Sequence, residues 1–374
     1  MRHLANIYRL GIKELRSLVR DPMMLVLILY AFSLGIWVAA TGLPETLYRA
    51  PIAIVDEDQS QLSNRIASAF YPPHFTPPAM VGLDAVDHGM DIGRYTFALD
   101  LPPDFERDLL AGRRPTVQLN IDATSMTQAF TGGGYIQQIV QAEAQEFMTG
   151  TRATPPPPVD LALRVRFNPT LARSWFGAVM EVINNVTMLS IILTGAALIR
   201  EREHGTVEHL LVMPVTPFEI MASKVWSMGT VVLVACAFSL TVMVQGVLQM
   251  PIQGSIVLFL AGAGLHLFAT TSMGIFMGTI ARSMPQFGLL MMLVLLPLEL
   301  LSGGLTPRES MPELVQTLML IAPTTHFVRM AQAILYRGAG LDVVWPQFLA
   351  IIAIGSLFFA IALTRFRSTI GAMA

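Results

Sequence analysis

Lysine occurs only twice in the 374 residues, at Lys13 and Lys224, and cysteine once, at Cys236. A nucleotide-binding P-loop requires glycine immediately before its phosphate-binding lysine, whereas Lys13 follows Ile12 and Lys224 follows Ser223. The chain therefore carries no ATP site of that kind. A lone cysteine inside an apolar run permits neither an intrachain disulfide nor a cysteine-based metal site, and it reads as a small buried hydrophobe. The nucleophile elbow G-x-S-x-G and the zinc pattern H-E-x-x-H are also missing. In "HGTVEH" the two histidines, His204 and His209, stand five apart and would face different sides of a helix. No metal site, no catalytic residue and no cofactor bound by this chain is expected.

Charge is scarce as well. Only 13% of the residues are charged while 53% are apolar, and the mean hydropathy is +0.57. Those values belong to membrane proteins. A helical span needs about 20 predominantly apolar residues. "MMLVLILYAFSLGIWVAATGL" at 23–43 meets that need without one charge, and further windows lie near 176–199, 225–248, 254–281, 286–305 and 343–363. The expectation is an α-helical membrane protein of six spans. The first window is too long for a cleaved signal peptide and should remain as an anchor.

Orientation follows from basic residues near span ends. Arg2, Arg9, Lys13, Arg16, Arg20, Arg200, Arg202, Lys224, Arg282, Arg365 and Arg367 fall on one side of six crossings, against Arg308, Arg329 and Arg337 on the other. Both termini are expected in the cytoplasm. Residues 1–22 read as a basic amphipathic helix at the inner membrane surface, with Leu4, Ile7, Leu10, Leu15 and Leu18 among the basic positions. Asp21 then offers an N-cap and Pro22 a first helical residue for the first span.

Between the first two spans, residues 44–172 are expected to form an extracytoplasmic domain. The stretch joining the two spans carries 10 Lys/Arg against 15 Asp/Glu, an acidic balance that also disfavours nucleic acid as a partner. Strand-like and helix-like segments alternate: "APIAIVDED" and "QLSNRIASAF", "RYTFALDLP" and "PDFERDLLAG", "PTVQLNID" and "GGYIQQIVQAEAQEFM". After "TPPPP", "VDLALRVRFNP" reads as a last strand. Such alternation predicts an α/β layer domain. Residues 173–374 then hold spans two to six, with a cytoplasmic loop at 200–224 and a Gly- and Pro-broken outer re-entrant segment at 306–340.

The loop is the most unusual stretch. "REREHGTVEHLLVMPVTPFE" places its charges first, then a short helix from about Thr206 to Met213 stopped by Pro214. Thr216, Pro217 and Glu219 form a capping box with proline at the first helical position, which starts the third span. Leu210, Leu211, Val212 and Met213 make an apolar tip that so short a loop cannot bury, and such a tip rimmed by charge points to a partner surface. From the residues alone, an ordinary solvated loop with membrane-flanking charge fits equally well.

Ionisable groups within spans are candidates for a substrate pathway because each is costly unless paired or wet. Glu181, beside Asn184 and Asn185 near the outer start of span two, and Glu299 near the outer end of span five qualify. Interfacial solvation is the plainer reading of both carboxylates. For His266, in mid-span, it is a satisfied interhelical hydrogen bond. Small residues in "AGAGLHLFATTSMGIFMG" allow a helix to approach closely, as at a dimer seam.

Four stretches together resemble the ABC-2 type exporter permeases: "KELRSLVRDP", "VDEDQSQLS", "EREHGTVEHLLVMPVTPFE", and "LSGGLTPRESMP" with "APTTHF". The likeness covers nearly the whole chain. It implies a non-enzymatic permease subunit in a bacterial inner membrane, which binds a separate ABC ATPase subunit holding ATP and Mg and exports a drug, lipid or envelope component. It also implies a second permease subunit, identical or not. Permeases with a large extracytoplasmic insert are further associated with a periplasmic adaptor and an outer-membrane channel. By position, the ATPase-coupling residues would be Glu201, Arg202, Glu203, Gly205, Thr206, Glu208, Leu210, Leu211, Met213 and Pro214. Gly303, Gly304, Pro307, Pro312 and Pro323 would belong to the outer gate. Two rival functions stay open: a proton-coupled secondary transporter using Glu181 and Glu299, and a membrane-anchored sensor with a periplasmic ligand domain.

Overall fold

In the computed structural model, the residues described are 2–42, 47–124, 126–150, 173–203, 215–304, 306 and 308–371. The chain divides into two compact units, one made of 1–43 with 165–374 and the other of 44–164.

The first unit begins with α1 (Arg2–Val19). Its buried positions, Gly11, Glu14 and Leu18, recur at helical spacing, while Leu4 is exposed. Two short helices, α2 (Pro22–Phe32) and α3 (Leu34–Thr41), meet at Ser33 and together make the first candidate span. Asp21 caps α2 by accepting from the Met24 amide at 3.2 Å, and Pro22 costs nothing at the first helical position, where its missing N–H has no partner to lose.

The second unit holds a four-stranded sheet of order β2-β1-β3-β4, built from β1 (Ile52–Asp56), β2 (Ala79–Met80), β3 (Phe97–Leu101) and β4 (Gln118–Ile121). Its helices are α4 (Gln61–Ser68), α5 (Leu83–Asp91), α6 (Phe105–Leu110) and α7 (Met126–Thr149). β1 pairs in parallel with β2 and β3, while β3 pairs antiparallel with β4, Leu99 opposite Leu119. β1 is buried on both faces, as a central parallel strand should be. Ile52 and Ile54 meet Leu62, Phe105 and Ile136 on one side; Ala53 and Val55 meet Val86 on the other. Gly132 lets α7 lie close to the sheet, since a Cβ there would come within 2.2 Å of the Phe97 ring. The short β2 and the helix α5 were not anticipated from the sequence. The expected strand at "VDLALRVRFNP" lies outside the described residues.

The remaining helices return to the first unit: α8 (Arg173–Glu203), α9 (Pro217–Phe238) with a π-helical continuation over Ser239–Val247, α10 (Ile256–Ile280), α11 (Met284–Leu301), α12 (Glu313–Leu318), α13 (Pro323–Leu335) and α14 (Leu341–Gly371). Six helical stretches among the described residues are long and apolar enough to cross a membrane. α8 is the central one, with 83% of its apolar window buried against 11% for α11 and 17% for α14. A further pair, α12 with its 3-10 continuation and then α13, bends by 93° and forms a broken span or re-entrant hairpin.

The small residues of α10 are used within the chain. A Cβ on Gly274 would strike Thr194 Oγ1 and Ile191 O of α8, and one on Gly262 would strike Met330 of α13. Close helix approach is real here, but these glycines are occupied by α8 and α13.

Candidate functional site

The loop root is built by the start of α9. Thr216 and Glu219 close a reciprocal capping box: the Thr216 side chain accepts from the Glu219 amide at 3.3 Å, and Glu219 Oε2 accepts from the Thr216 amide at 2.5 Å. The other oxygen, Oε1, faces α1, where Asn6 Nδ2 donates to it at 3.1 Å and His3 Nδ1 lies 3.0 Å away. One buried carboxylate thus stops the loop, starts a span and holds the amino-terminal helix.

Further along α9, Lys224 is 1% exposed, and its ammonium lies 2.9 Å from Glu14 Oε1 and 2.8 Å from Glu201 Oε2. Lys13 reaches the other oxygen of Glu201 at 3.2 Å. The only two lysines of the chain therefore grip the same carboxylate. Between them, the four groups join α1, α8 and α9. Burial pushes the Glu14 carboxyl above its ordinary range, against the pull of Lys224. Trp226 seals the same contact: its indole donates to Ile7 O at 3.2 Å, its ring stacks on Tyr8, and Gly11 leaves it room.

The end of α8 is tied down elsewhere too. Arg200 pairs with Asp21, the cap of α2. Arg202 Nη1 donates to Ala281 O at 2.8 Å, and Glu203 Oε1 accepts from the Met284 amide at 3.2 Å. Glu201, Arg202 and Glu203 are among the positions assigned from the sequence to ATPase coupling. All three make ties within the chain, bracing the loop from below. Gly205, Thr206, Glu208, Leu210, Leu211, Met213 and Pro214 lie outside the described residues.

The interior of the same unit is polar in a different manner. The half-buried Glu181 accepts from Asn185 Nδ2 at 3.3 Å, and the same amide lies 2.8 Å from Ala31 O of the first span. Asn184 and Glu299 are half-buried. Ser190 donates to Thr270 Oγ1 at 2.6 Å, and His266 Nε2 lies 2.9 Å from Thr187 Oγ1, joining α8 to α10. The His266 ring stacks on Phe327 of α13 with centroids 4.0 Å apart. His266 thus makes the expected interhelical bond at one ring nitrogen, while Nδ1 is buried without a hydrogen-bond partner among the described residues.

Of the expected gate positions, Gly303 adopts a left-handed φ of 93°, and Gly304 packs on Met180, where a Cβ would come within 2.2 Å of Cε. Gln332 of α13 also reaches Met180, with Nε2 3.6 Å from its sulfur. The segment holding Gly303 and Gly304 therefore converges with α13 on α8, one residue before Glu181. Pro312 precedes α12 and Pro323 opens α13; Pro307 lies outside the described residues.

The sequence reading missed Lys224, which it counted among membrane-flanking charges. Rarity was the available signal. A lysine at the eighth residue of a helix that opens with a capping box is past the loop, and its neighbours Ser223 and Ser227 are small enough for a partner helix to approach.

A family model described as "ABC-2 family transporter protein" matches residues 23–364. The chain is 64% identical, over the full length of both, to the inner membrane transport permease YhhJ of Escherichia coli strain K12. It is 28% identical over 363 residues to the probable multidrug ABC transporter permease YbhR of the same strain, covering 95% of this chain and 96% of the relative. With the probable multidrug ABC transporter permease YbhS the figure is 25% over 88% of each chain.

Proposed function

The chain belongs to the ABC-2 transporter family, and from that premise we propose that it is the permease subunit of an ATP-driven exporter whose ATPase is a separate chain. It is a multi-pass membrane transport subunit. Its full-length likeness to an inner membrane permease supports the same bacterial membrane, with both termini cytoplasmic and the 44–172 insert on the outer side. Two permease subunits enclose one pathway, and ATP with Mg is held by the partner. An adaptor and an outer-membrane channel complete the route for a drug, lipid or envelope component.

The observation that carries this reading is the braced loop root. A push on residues 204–214 arrives at Glu201, Arg202 and Glu203, and from there reaches α9 and α1 through Lys224, the start of α11 through Met284, and the first span through the neighbouring Arg200 and Asp21. A loop whose root is tied to four elements moves them as a body. A solvated connector has no need of buried ion pairs, which are costly to desolvate.

Reconstitution tests the assignment. The chain with its ATPase should move substrate only with ATP, and Glu208→Lys should uncouple hydrolysis from transport while leaving the membrane unit folded. Transport by the chain alone on a proton gradient would instead establish the secondary transporter.

A further inference from the structure

α7 outruns the strand it covers. Its 24 residues extend for about 36 Å, whereas the four residues of β4 reach about 13 Å. The first half of the helix is seated on the sheet: Gly133 meets Ile121 of β4, where a Cβ would lie 3.2 Å from Cδ1, and Ile136 is 1% exposed. In the second half, one side is taken by α4, whose Arg65 reaches Glu143 at 2.5 Å and Glu146 at 2.7 Å. Another face repeats every fourth residue as Ile136, Val140 and Ala144, and it looks across a groove towards α6 and the chain that joins α6 to β4.

The groove holds about 670 Å³, and its walls include Leu99, Leu109, Val117, Leu119, Ile136 and Val140. Pockets for small ligands have volumes of about 300–1,000 Å³ and mostly apolar walls with a few polar groups. Leu99 and Ile136 belong to the core of this unit, while Leu109, Val117, Leu119 and Val140 are left half-buried. Arg113 and Arg114 also line the groove and are exposed, so they stand at its mouth. Arg113 is held by Asp108 at 2.9 Å. Arg114 has no hydrogen bond or ion pair among the described residues. Two adjacent arginines are conspicuous in a stretch that carries 10 Lys/Arg against 15 Asp/Glu, and one of them keeps its charge unspent beside an apolar groove.

We propose that this groove binds an amphiphile with a single apolar tail and an anionic head. The tail lies along the Ile136, Val140 and Ala144 face of α7 and removes half-buried apolar surface from water. The head takes Arg114, whose planar guanidinium matches carboxylate or phosphate oxygens in pairs. Charge selects the class of head: a cationic one would be repelled at the mouth, and a neutral one would leave Arg114 without a counterion. Such binding needs neither ATP nor a partner subunit and stands apart from the transport reading above.

Thiol protection in the full chain, held in a nanodisc of neutral lipid, tests the site. Ala144→Cys places a thiol in the groove, and the natural Cys236 is 0% exposed and silent to a maleimide. Decanoate should slow alkylation at about one-tenth of the concentration that decanol needs, the effect of one charge-assisted hydrogen bond, and acetate should give no protection. Arg114→Gln should bring decanoate to the level of decanol, Arg114→Lys should keep the preference, and Val140→Trp, which fills the groove, should weaken both amphiphiles. Equal protection by decanoate and decanol overturns the proposal, as does an undiminished preference in Arg114→Gln. Saturable protection by acetate overturns the amphiphile in favour of a head-only anion site. If the thiol reacts only once Leu161→Asp and Leu163→Asp are added, residues 159–168 of the chain itself occupy the groove and the proposal falls.

Discussion

Lys224 and His266 are both fully buried nitrogen side chains in the membrane unit, and the fold treats them in opposite ways. Around Lys224, two carboxylates and a second lysine bring the charges of three helices together at one end of the unit. Around His266, one nitrogen is bonded, while the other and two threonine hydroxyls a few residues from its stacking partner Phe327 have no hydrogen-bond partner among the described residues. The paired end holds three helices together. The unpaired interior keeps polar capacity in reserve, which suits a place where something polar arrives from outside.

Breaking the paired end should have the larger consequence. Lys224→Met leaves Glu14 and Glu201 buried beside each other without their cation, and removing one partner of a buried ion group costs about 3–5 kcal/mol. Thermal unfolding of the purified chain should show that loss, and limited proteolysis should show α1 released. Changing Glu14→Gln and Glu201→Gln alongside Lys224→Met removes the three buried charges at once, leaves only the half-exposed Lys13, and should recover most of the stability. If the single variant melts like the wild type, the cluster is not what joins α1 to α8 and α9.

Glu219→Gln is a milder break at the same end. An amide has one acceptor oxygen where the carboxylate has two, so the variant must give up either the bond from the Thr216 amide or the bond from Asn6 Nδ2. The expected cost is about 1–2 kcal/mol, the range of a lost helix cap or a charged hydrogen bond. Hydrogen exchange at the first turn of α9 and along α1 would show which of the two gave way.

How much of this was legible follows a physical line. The six apolar stretches, the Asp21 cap and the Thr216 capping box were readable because each depends on residues adjacent in the chain. Lys224 was misread because its partners Glu14 and Glu201 are 210 and 23 residues away, and no local pattern distinguishes a buried lysine from a flanking one. The ties that Glu201, Arg202 and Glu203 make within the chain were illegible for the same reason: charge is visible in a sequence, but the group that neutralises it is not. α13 was legible only as a Pro-broken stretch. Its course depends on contacts with α10 that pair Phe327 with His266, and the short strand β2 was missed because two residues carry no periodicity.

The Glu14 carboxyl offers a subtler probe of the paired end. Its pKa is raised by burial, so the folded chain binds that proton more tightly than the unfolded chain does. Stability therefore falls as pH rises from the ordinary carboxylate range through the raised folded-state value. Glu14→Gln should remove that slope while changing stability little at low pH, where the wild-type group is protonated and equally uncharged. Melting curves between pH 4 and 8 compare the two; identical slopes would mean that Glu14 is solvated in the folded chain.

The smallest effect belongs to the interior. His266→Phe removes the bond to Thr187, but Thr187 Oγ1 also lies 3.5 Å from Ile183 O and can turn to donate there. The substitution removes the unpartnered Nδ1 and keeps an aromatic face against Phe327. Losing one neutral hydrogen bond costs about 1 kcal/mol, and deleting a buried polar atom with no partner returns a comparable amount, so the melting temperature should move by only a few degrees. A loss as large as that for Lys224→Met would show that Nδ1 is bonded in the membrane after all. A water held there between α10 and α13 would be the simplest partner.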